Sequence, residues 1–273
     1  MSPIEVLEKN GPIILGQPHG GIFIPPVLSS RLNERGRHLA DTDWHINRLY
    51  KGLLPSATVV KANFSRYFID ANRDPSGNSL YPGKNTTGLC PIIDFEGEPI
   101  YNEGEEPSEE EIEQRRKAFH SVYHAALKKQ IERVRKLHGV VLLFDCHSIR
   151  SRLPFLFEGV LPDFNIGTNN GRTCGIEIEE ATVEVCLTAK DYKTMLNGRF
   201  KGGWTTRNYG NPSEGIHAIQ LEIAQRTYME ETSPWSYRIE LANTLRKKLK
   251  SLLVSLEDVV NGNVKSNVNT QNV

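Results

Sequence analysis

Apolar positions along the chain fall into two kinds of stretch. Short unbroken or alternating runs predict strands: Pro12-Ile-Ile-Leu-Gly16, Ala57-Thr-Val-Val-Lys61, Arg66-Tyr-Phe-Ile-Asp70, Val140-Val-Leu-Leu-Phe144 and Ile216-His-Ala-Ile-Gln-Leu-Glu-Ile223. Longer stretches carry the helical period. Ile46, Leu49, Tyr50 and Leu53 form a stripe behind Asp41-Thr-Asp-Trp44, where Asp41, Thr42 or Asp43 is the expected cap. Ser108-Glu-Glu-Glu111 has the capping-box pattern and opens a helix to about His138, with Phe119, Val122, Tyr123, Leu127, Ile131 and Val134 on one face. From Thr173 to Ala189 the β-branched residues partly alternate, but Glu177, Glu179, Glu180 and Glu184 favour a helix. A closing amphipathic helix is expected from Pro234 to about Val259. Residues 75–105, rich in Gly, Pro, Asn and Asp, are too long for a simple connection and read as a functional surface loop. Strands alternating with helices predict an α/β fold with a mixed, largely parallel sheet, in one domain over residues 1–260. The polar stretch 261–273 is expected to be a disordered tail.

Composition narrows the function classes. With 33 basic and 33 acidic side chains there is no excess charge to attract nucleic acid or an anionic membrane. No apolar run approaches the roughly 20 residues that cross a bilayer, and the start Met1-Ser-Pro-Ile-Glu-Val lacks a basic-then-apolar leader, which points to a cytoplasmic protein. Cys90, Cys146, Cys174 and Cys186 have no C-x-x-C spacing, so neither a zinc ribbon nor a disulfide scaffold is indicated. The glycine pairs at 20–21 and 202–203 are not phosphate loops, and Ser148 lacks the G-x-S-x-G elbow of a serine hydrolase.

The chemistry gathers where apolar runs stop. Val140 to Phe144 ends in Asp145-Cys-His-Ser148, and Pro12 to Gly16 ends in Gln17-Pro-His19-Gly-Gly21, so two histidines arrive at strand carboxyl ends, where α/β sheets bind ligands. Two histidines and a carboxylate, with one position left open, are a common catalytic zinc set. His19 and His147 supply the nitrogens. Asp41 and Asp43 are both candidates for the oxygen, with Asp43 preferred, and Asp145 suits an orienting role behind His147. Glu222 stands in the apolar strand Leu221-Glu-Ile-Ala224, where a carboxylate is costly unless paired or catalytic, and is the candidate general base. His217, an odd number of residues away, should face the other side of the sheet. Arg73 and Arg207 offer guanidinium forks for carboxylates, so two of them at a metal rim imply a dianionic substrate. His38, His45, His120, His124 and His138 have no converging partner in sequence and read as surface or packed side chains.

Together these residues resemble the N-formylglutamate amidohydrolase (N-formylglutamate deformylase) family from about residue 12 to residue 230. The likeness rests on Pro18-His-Gly-Gly21, Asp41-Thr-Asp-Trp-His45, Ser65-Arg-Tyr67, Asn72-Arg73, Leu80-Tyr-Pro-Gly83, Asp145-Cys-His-Ser-Ile-Arg-Ser151, Phe157-Glu-Gly159, Asn197-Gly-Arg-Phe-Lys-Gly-Gly203, Thr206-Arg207 and His217-Ala-Ile-Gln-Leu-Glu222. It implies a three-layer α/β/α fold similar to the zinc carboxypeptidases (phosphorylase/hydrolase-like). It implies His19 and His147 on Zn2+ or another divalent transition metal, Glu222 as base, and Asn72 with Arg73 on a substrate carboxylate. Zinc carboxypeptidases take an acidic ligand three residues after the first histidine. That position is Ile22 here, so the acid comes from elsewhere. The resemblance implies hydrolysis of N-formyl-L-glutamate to L-glutamate and formate, as in histidine degradation. The alternatives are an amidohydrolase for another N-acyl aspartate or glutamate, and a non-catalytic binding protein. A binder has no need of a base such as Glu222.

Overall fold

A computed structural model describes residues 2–78 and 83–262. The expected tail from residue 263 onward, and Leu80-Tyr-Pro82 of the sequence likeness, lie outside the described residues. Among the described residues seven strands form one sheet: β1 (Ile4–Leu7), β2 (Ile13–Gln17), β3 (Thr58–Ala62), β4 (Val141–Ile149), β5 (Phe164–Gly167), β6 (Thr194–Leu196) and β7 (Ile216–Ala224). Their order is β1-β3-β2-β4-β7-β5-β6. The pairings β2·β3, β2·β4, β4·β7 and β5·β6 are parallel, while β1·β3 and β5·β7 are antiparallel, so the sheet is mixed as the alternation of elements predicts.

Among the described residues eight α-helices accompany it: α1 (Pro26–Ser29), α2 (Glu34–Arg37), α3 (Ile46–Tyr50), α4 (Glu109–Arg115), α5 (Ser121–His138), α6 (Ile176–Thr188), α7 (Trp204–Tyr209) and α8 (Ile239–Val260). They cover both faces of the sheet. Leu142, Phe144 and Cys146 of β4 and Ile219, Leu221 and Ile223 of β7 pack with α3, α6 and α8, whose stripe includes Leu245, Leu249 and Leu252. Val141 and Leu143 of β4 and Ala218 of β7 turn the other way, onto Tyr123, Leu127, Ile131 and Val134 of α5. Each fully buried leucine or phenylalanine contributes about 1.5–3 kcal/mol relative to exposure. On the α5 face, β4 and β7 change from apolar to polar toward their carboxyl ends. Asp145 and His147 follow Leu143 at a spacing of two, and Gln220 and Glu222 follow Ala218.

Several elements differ from expectation. Arg66–Asp70 reads as a short apolar strand but is a turn, because Arg66 and Asp70 close on each other as a buried ion pair at 2.6 Å and Ile69 N donates to Ser65 O. The helix opened by Ser108 is capped as expected, Ser108 Oγ accepting from Glu111 N, but a π-helical turn at Arg116–His120 divides it. None of Asp41, Thr42 and Asp43 caps α3. Its N-cap is His45, whose side chain makes no capping bond, and Asp43 instead accepts from Ser148 N. The ambiguous segment after Thr173 is helical. Strands β1, β5 and β6, three or four residues long, are too short for periodicity to register. No helix among the described residues is long and apolar enough to cross a membrane.

Candidate active site

Neighbouring strands β2, β4 and β7 run parallel, so their carboxyl ends open on one rim. His19 lies two residues beyond β2, and His147 and Glu222 are register partners on β4 and β7, side by side on one face. The chain can turn in to deliver His19 because Gly21 has no side chain. A Cβ there would lie 2.3 Å from the Asn63 carbonyl carbon.

His19, Asp43 and His147 are all buried and offer ligand atoms within 4.8 Å of one another. Asp43 Oδ2 is 3.3 Å from His147 Nδ1 and 3.8 Å from His19 Nδ1. The far nitrogen of each ring meets a carboxylate: His19 Nε2 lies 2.7 Å from Asp70 Oδ1, and His147 Nε2 lies 2.9 Å from Asp145 Oδ2. Such an arrangement fixes ring orientation and leaves both Nδ1 atoms facing Asp43. Of the two acids open in the sequence, Asp43 joins the histidines. Asp41 is used elsewhere, binding Arg150 at 3.0 Å and accepting from Phe95 N. His19 Nδ1 and Asp43 Oδ1 are buried and have no hydrogen-bond partner, with Arg66 Nη1 standing 3.7 Å from Asp43 Oδ1, which is costly unless a further group binds there. Two imidazole nitrogens and a carboxylate oxygen from separate elements, with these two atoms lacking hydrogen bonds, fit a catalytic zinc-type cation.

Charge at the site is finely opposed. Burial, aided by the Arg66 guanidinium, lowers the His19 pKa against Asp70 and Asp43. For His147 burial also acts downward, but Asp145, Asp43 and Glu222 outweigh it and hold the ring well above the usual histidine range. Three carboxylates around one imidazole make a position that strongly favours a cation. Burial raises the Asp70 carboxyl, yet Arg66, Arg73 and His19 overcome that and hold it well below the usual range, keeping it ionised behind His19. Glu222 is pushed up to about 7 by burial, with Asp43 and Asp145 adding to it and His147 and Arg66 opposing. Gln220 Nε2 donates to Glu222 Oε2 at 3.0 Å, and Gly203 N in turn donates to Gln220 Oε1 at 2.7 Å.

These groups open into a cavity of about 250 Å3 that His19, Asn72, Arg73, His147 and Glu222 line together. Its outer wall is the long loop, through Asn85, Thr87 and Phe95, and Arg66 and Arg199 also line it. Asn72 lies between elements: its Oδ1 accepts from Thr205 N at 2.8 Å and its Nδ2 is 3.0 Å from His147 Nε2. Arg73 is anchored on the loop, donating to Thr87 O at 2.9 Å and to Thr87 Oγ1 at 3.0 Å. Arg207 Nε donates to Gly202 O at 2.9 Å, and Arg207 is not among the described lining residues. Arg199 comes to the cavity from the same Gly-rich segment. His217 faces away from the site, as its odd spacing from Glu222 requires, and accepts from Gly175 N. Reading the sequence assigned no role to Arg66, Asp70, Arg199 or Gln220. Asp70 carried a usable signal, because Tyr67-Phe-Ile69 stops at an acid just as Val140 to Phe144 does.

Comparison with known proteins agrees with this geometry. The family model described as N-formylglutamate amidohydrolase matches residues 11–229. The N-formylglutamate deformylase of Pseudomonas putida is 47% identical over 246 residues, covering 90% of this chain and 92% of the relative. That of Pseudomonas aeruginosa is 44% identical over 256 residues, covering 92% of this chain and 96% of the relative. Among solved structures, N-formylglutamate amidohydrolase from Ralstonia eutropha superposes with a TM-score of 0.80 at 26% identity, covering 97% of this chain and 100% of that one. A gene product of Agrobacterium tumefaciens shares the fold, with a TM-score of 0.69 at 20% identity over 94% of this chain and 97% of its own. By its match over most of its length and by these relatives, the chain belongs to the N-formylglutamate amidohydrolase family.

Proposed function

We propose that the protein hydrolyses N-formyl-L-glutamate to L-glutamate and formate with the help of a divalent transition metal, zinc being the natural candidate. The hydrolytic activity rests on the two curated deformylase relatives, which match nearly the whole chain. The observation that carries the metal is the buried His19–Asp43–His147 set, in which His19 Nδ1 and Asp43 Oδ1 make no hydrogen bond. A cation held there supplies Lewis-acid polarisation of the formyl carbonyl.

The remaining steps belong to the chain's own side chains. Glu222, held by Gln220 and beside His147 on the next strand, takes a proton from the attacking water and delivers it to the leaving nitrogen as the C–N bond breaks. A carboxyl near 7 is ionised often enough to accept the proton and acidic enough to return it. Asn72 and Arg73 hold one substrate carboxylate, and binding energy there becomes orientation of the amide. A second guanidinium is needed for a dianion. Arg207 is the candidate from the sequence, and Arg199, which lines the cavity, is a second. The whole site is carried by residues 1–260 as one unit. A panel of N-formyl, N-acetyl and N-succinyl derivatives of Glu, Asp and Gln tests the assignment: formate release should be fastest with N-formyl-L-glutamate, and preference for another acyl group or amino acid would replace that substrate.

A further inference from the structure

A turn carries three of the site's groups: Asp70 behind His19, Asn72 beside His147, and Arg73 at the cavity. Its backbone carbonyls are gripped from behind by one helical face. Arg115 Nη1 donates to Phe68 O at 2.9 Å, His124 Nε2 to Ala71 O at 2.7 Å and His120 Nε2 to Arg73 O at 3.1 Å. In a regular α-helix, residues 115 and 120, five positions apart, would point about 140° away from each other. The π turn at Arg116–His120, closed by Ser121 N on Arg116 O, brings both side chains onto the face that meets the turn. His124 lies four residues further on, its ring centroid 4.4 Å from that of His120.

The two rings are fixed in turn. Trp204 of α7 packs on both, at 5.4 and 4.6 Å between ring centroids, and Tyr209 donates its hydroxyl proton to His124 Nδ1 at 3.0 Å. Burial and the neighbouring His120 hold the His124 pKa down to about 3, so the ring stays neutral with its proton on Nε2.

We propose that His120 and His124 are positioning residues, which the π turn aims at the Arg73 and Ala71 carbonyls so that the turn presents Asp70 to His19 and Asn72 to His147. This rests on reading His19 and His147 as metal ligands. Loss of the clamp leaves the fold intact and lets the turn drift, which loosens the Asp70 carboxylate that orients His19.

The test is made on the full chain with His124→Phe, which keeps a ring but loses the donor, and His124→Gln, which keeps a donor. Hydrogen exchange of the metal-free proteins reads the turn, and competition with a chelator reads zinc affinity. His124→Phe should speed exchange of the Asn72 and Arg73 amides by about tenfold or more while β4 stays protected, and should weaken zinc by about tenfold. His124→Gln should recover most of both. Unchanged exchange at residues 70–73, or uniformly faster exchange through β4 and β7 without rescue by His124→Gln, would overturn the clamp. Should His124→Phe fail to fold, His120→Phe makes the same test at the Arg73 carbonyl. If the wild-type protein binds no zinc, the ligand reading fails, and the exchange measurement still decides the clamp.

Discussion

His147 and Glu222 are register partners on neighbouring parallel strands, so a ring aimed at Asp43 and a carboxylate held by Gln220 face the same cavity side by side. The sheet itself sets this juxtaposition, and it separates two roles that substitution can tell apart.

Replacing Glu222 by Gln removes the proton carrier and leaves His19, Asp43 and His147 in place. Turnover should fall by about a hundredfold to ten-thousandfold, with metal content unchanged. Normal turnover in purified Glu222→Gln would remove Glu222 from the mechanism.

The carboxylates behind the rings should matter for affinity. Asp70→Asn or Asp145→Asn loosens His19 or His147, and zinc affinity measured by chelator competition should drop by about 10- to 100-fold. His19→Ala and His147→Ala should each lose the metal altogether, and full occupancy in either would refute that ligand.

Gly203 adjoins Asn72 so closely that an added Cβ would sit 2.3 Å from Asn72 Nδ2. Its backbone conformation, with φ −78°, is open to any residue, so the cost of Gly203→Ala is steric alone. Stability should fall by about 1–3 kcal/mol in urea titration, and kcat/KM should fall further than that loss of folded protein accounts for. An Asn72→Ala change should reproduce the kinetic part without the steric part.

Acid should destabilise the protein through His124. Its folded pKa, about 3, lies below the ordinary 6.5, so the unfolded chain binds the extra proton between those values. Stability is therefore fully present above pH 6.5 and is lost as pH falls toward 3, on the order of a few kcal/mol in all. Urea midpoints across that range should decline less steeply in His124→Gln, and identical slopes would show that His124 does not titrate as its burial implies.

Much of this site was legible because strand burial and catalysis write conflicting demands into one stretch. An apolar run that stops at Asp145-Cys-His147, and a glutamate inside Leu221-Glu-Ile223, cannot be explained by packing alone. Asp43 was narrowed but not isolated from Asp41, since both precede α3 and only tertiary contacts send one to His147 and the other to Arg150. The role of Asp70 was hidden by Arg66–Asp70, whose apolar run Tyr67-Phe-Ile69 imitates a strand while its charges form a buried pair. Arg199 and Arg207 share a Gly-rich segment whose path no periodicity encodes. The π turn left no sequence mark at all, and with it went the convergence of His120 and His124.

Formate release from N-formyl-L-glutamate bears most directly on metal-assisted hydrolysis, measured on the stripped protein, on the same protein reloaded with zinc, and on reloaded Glu222→Gln. The expected result is activity only in the reloaded wild-type protein, with zinc bound equally by the reloaded variant. Undiminished formate release from protein shown to be free of metal would contradict it.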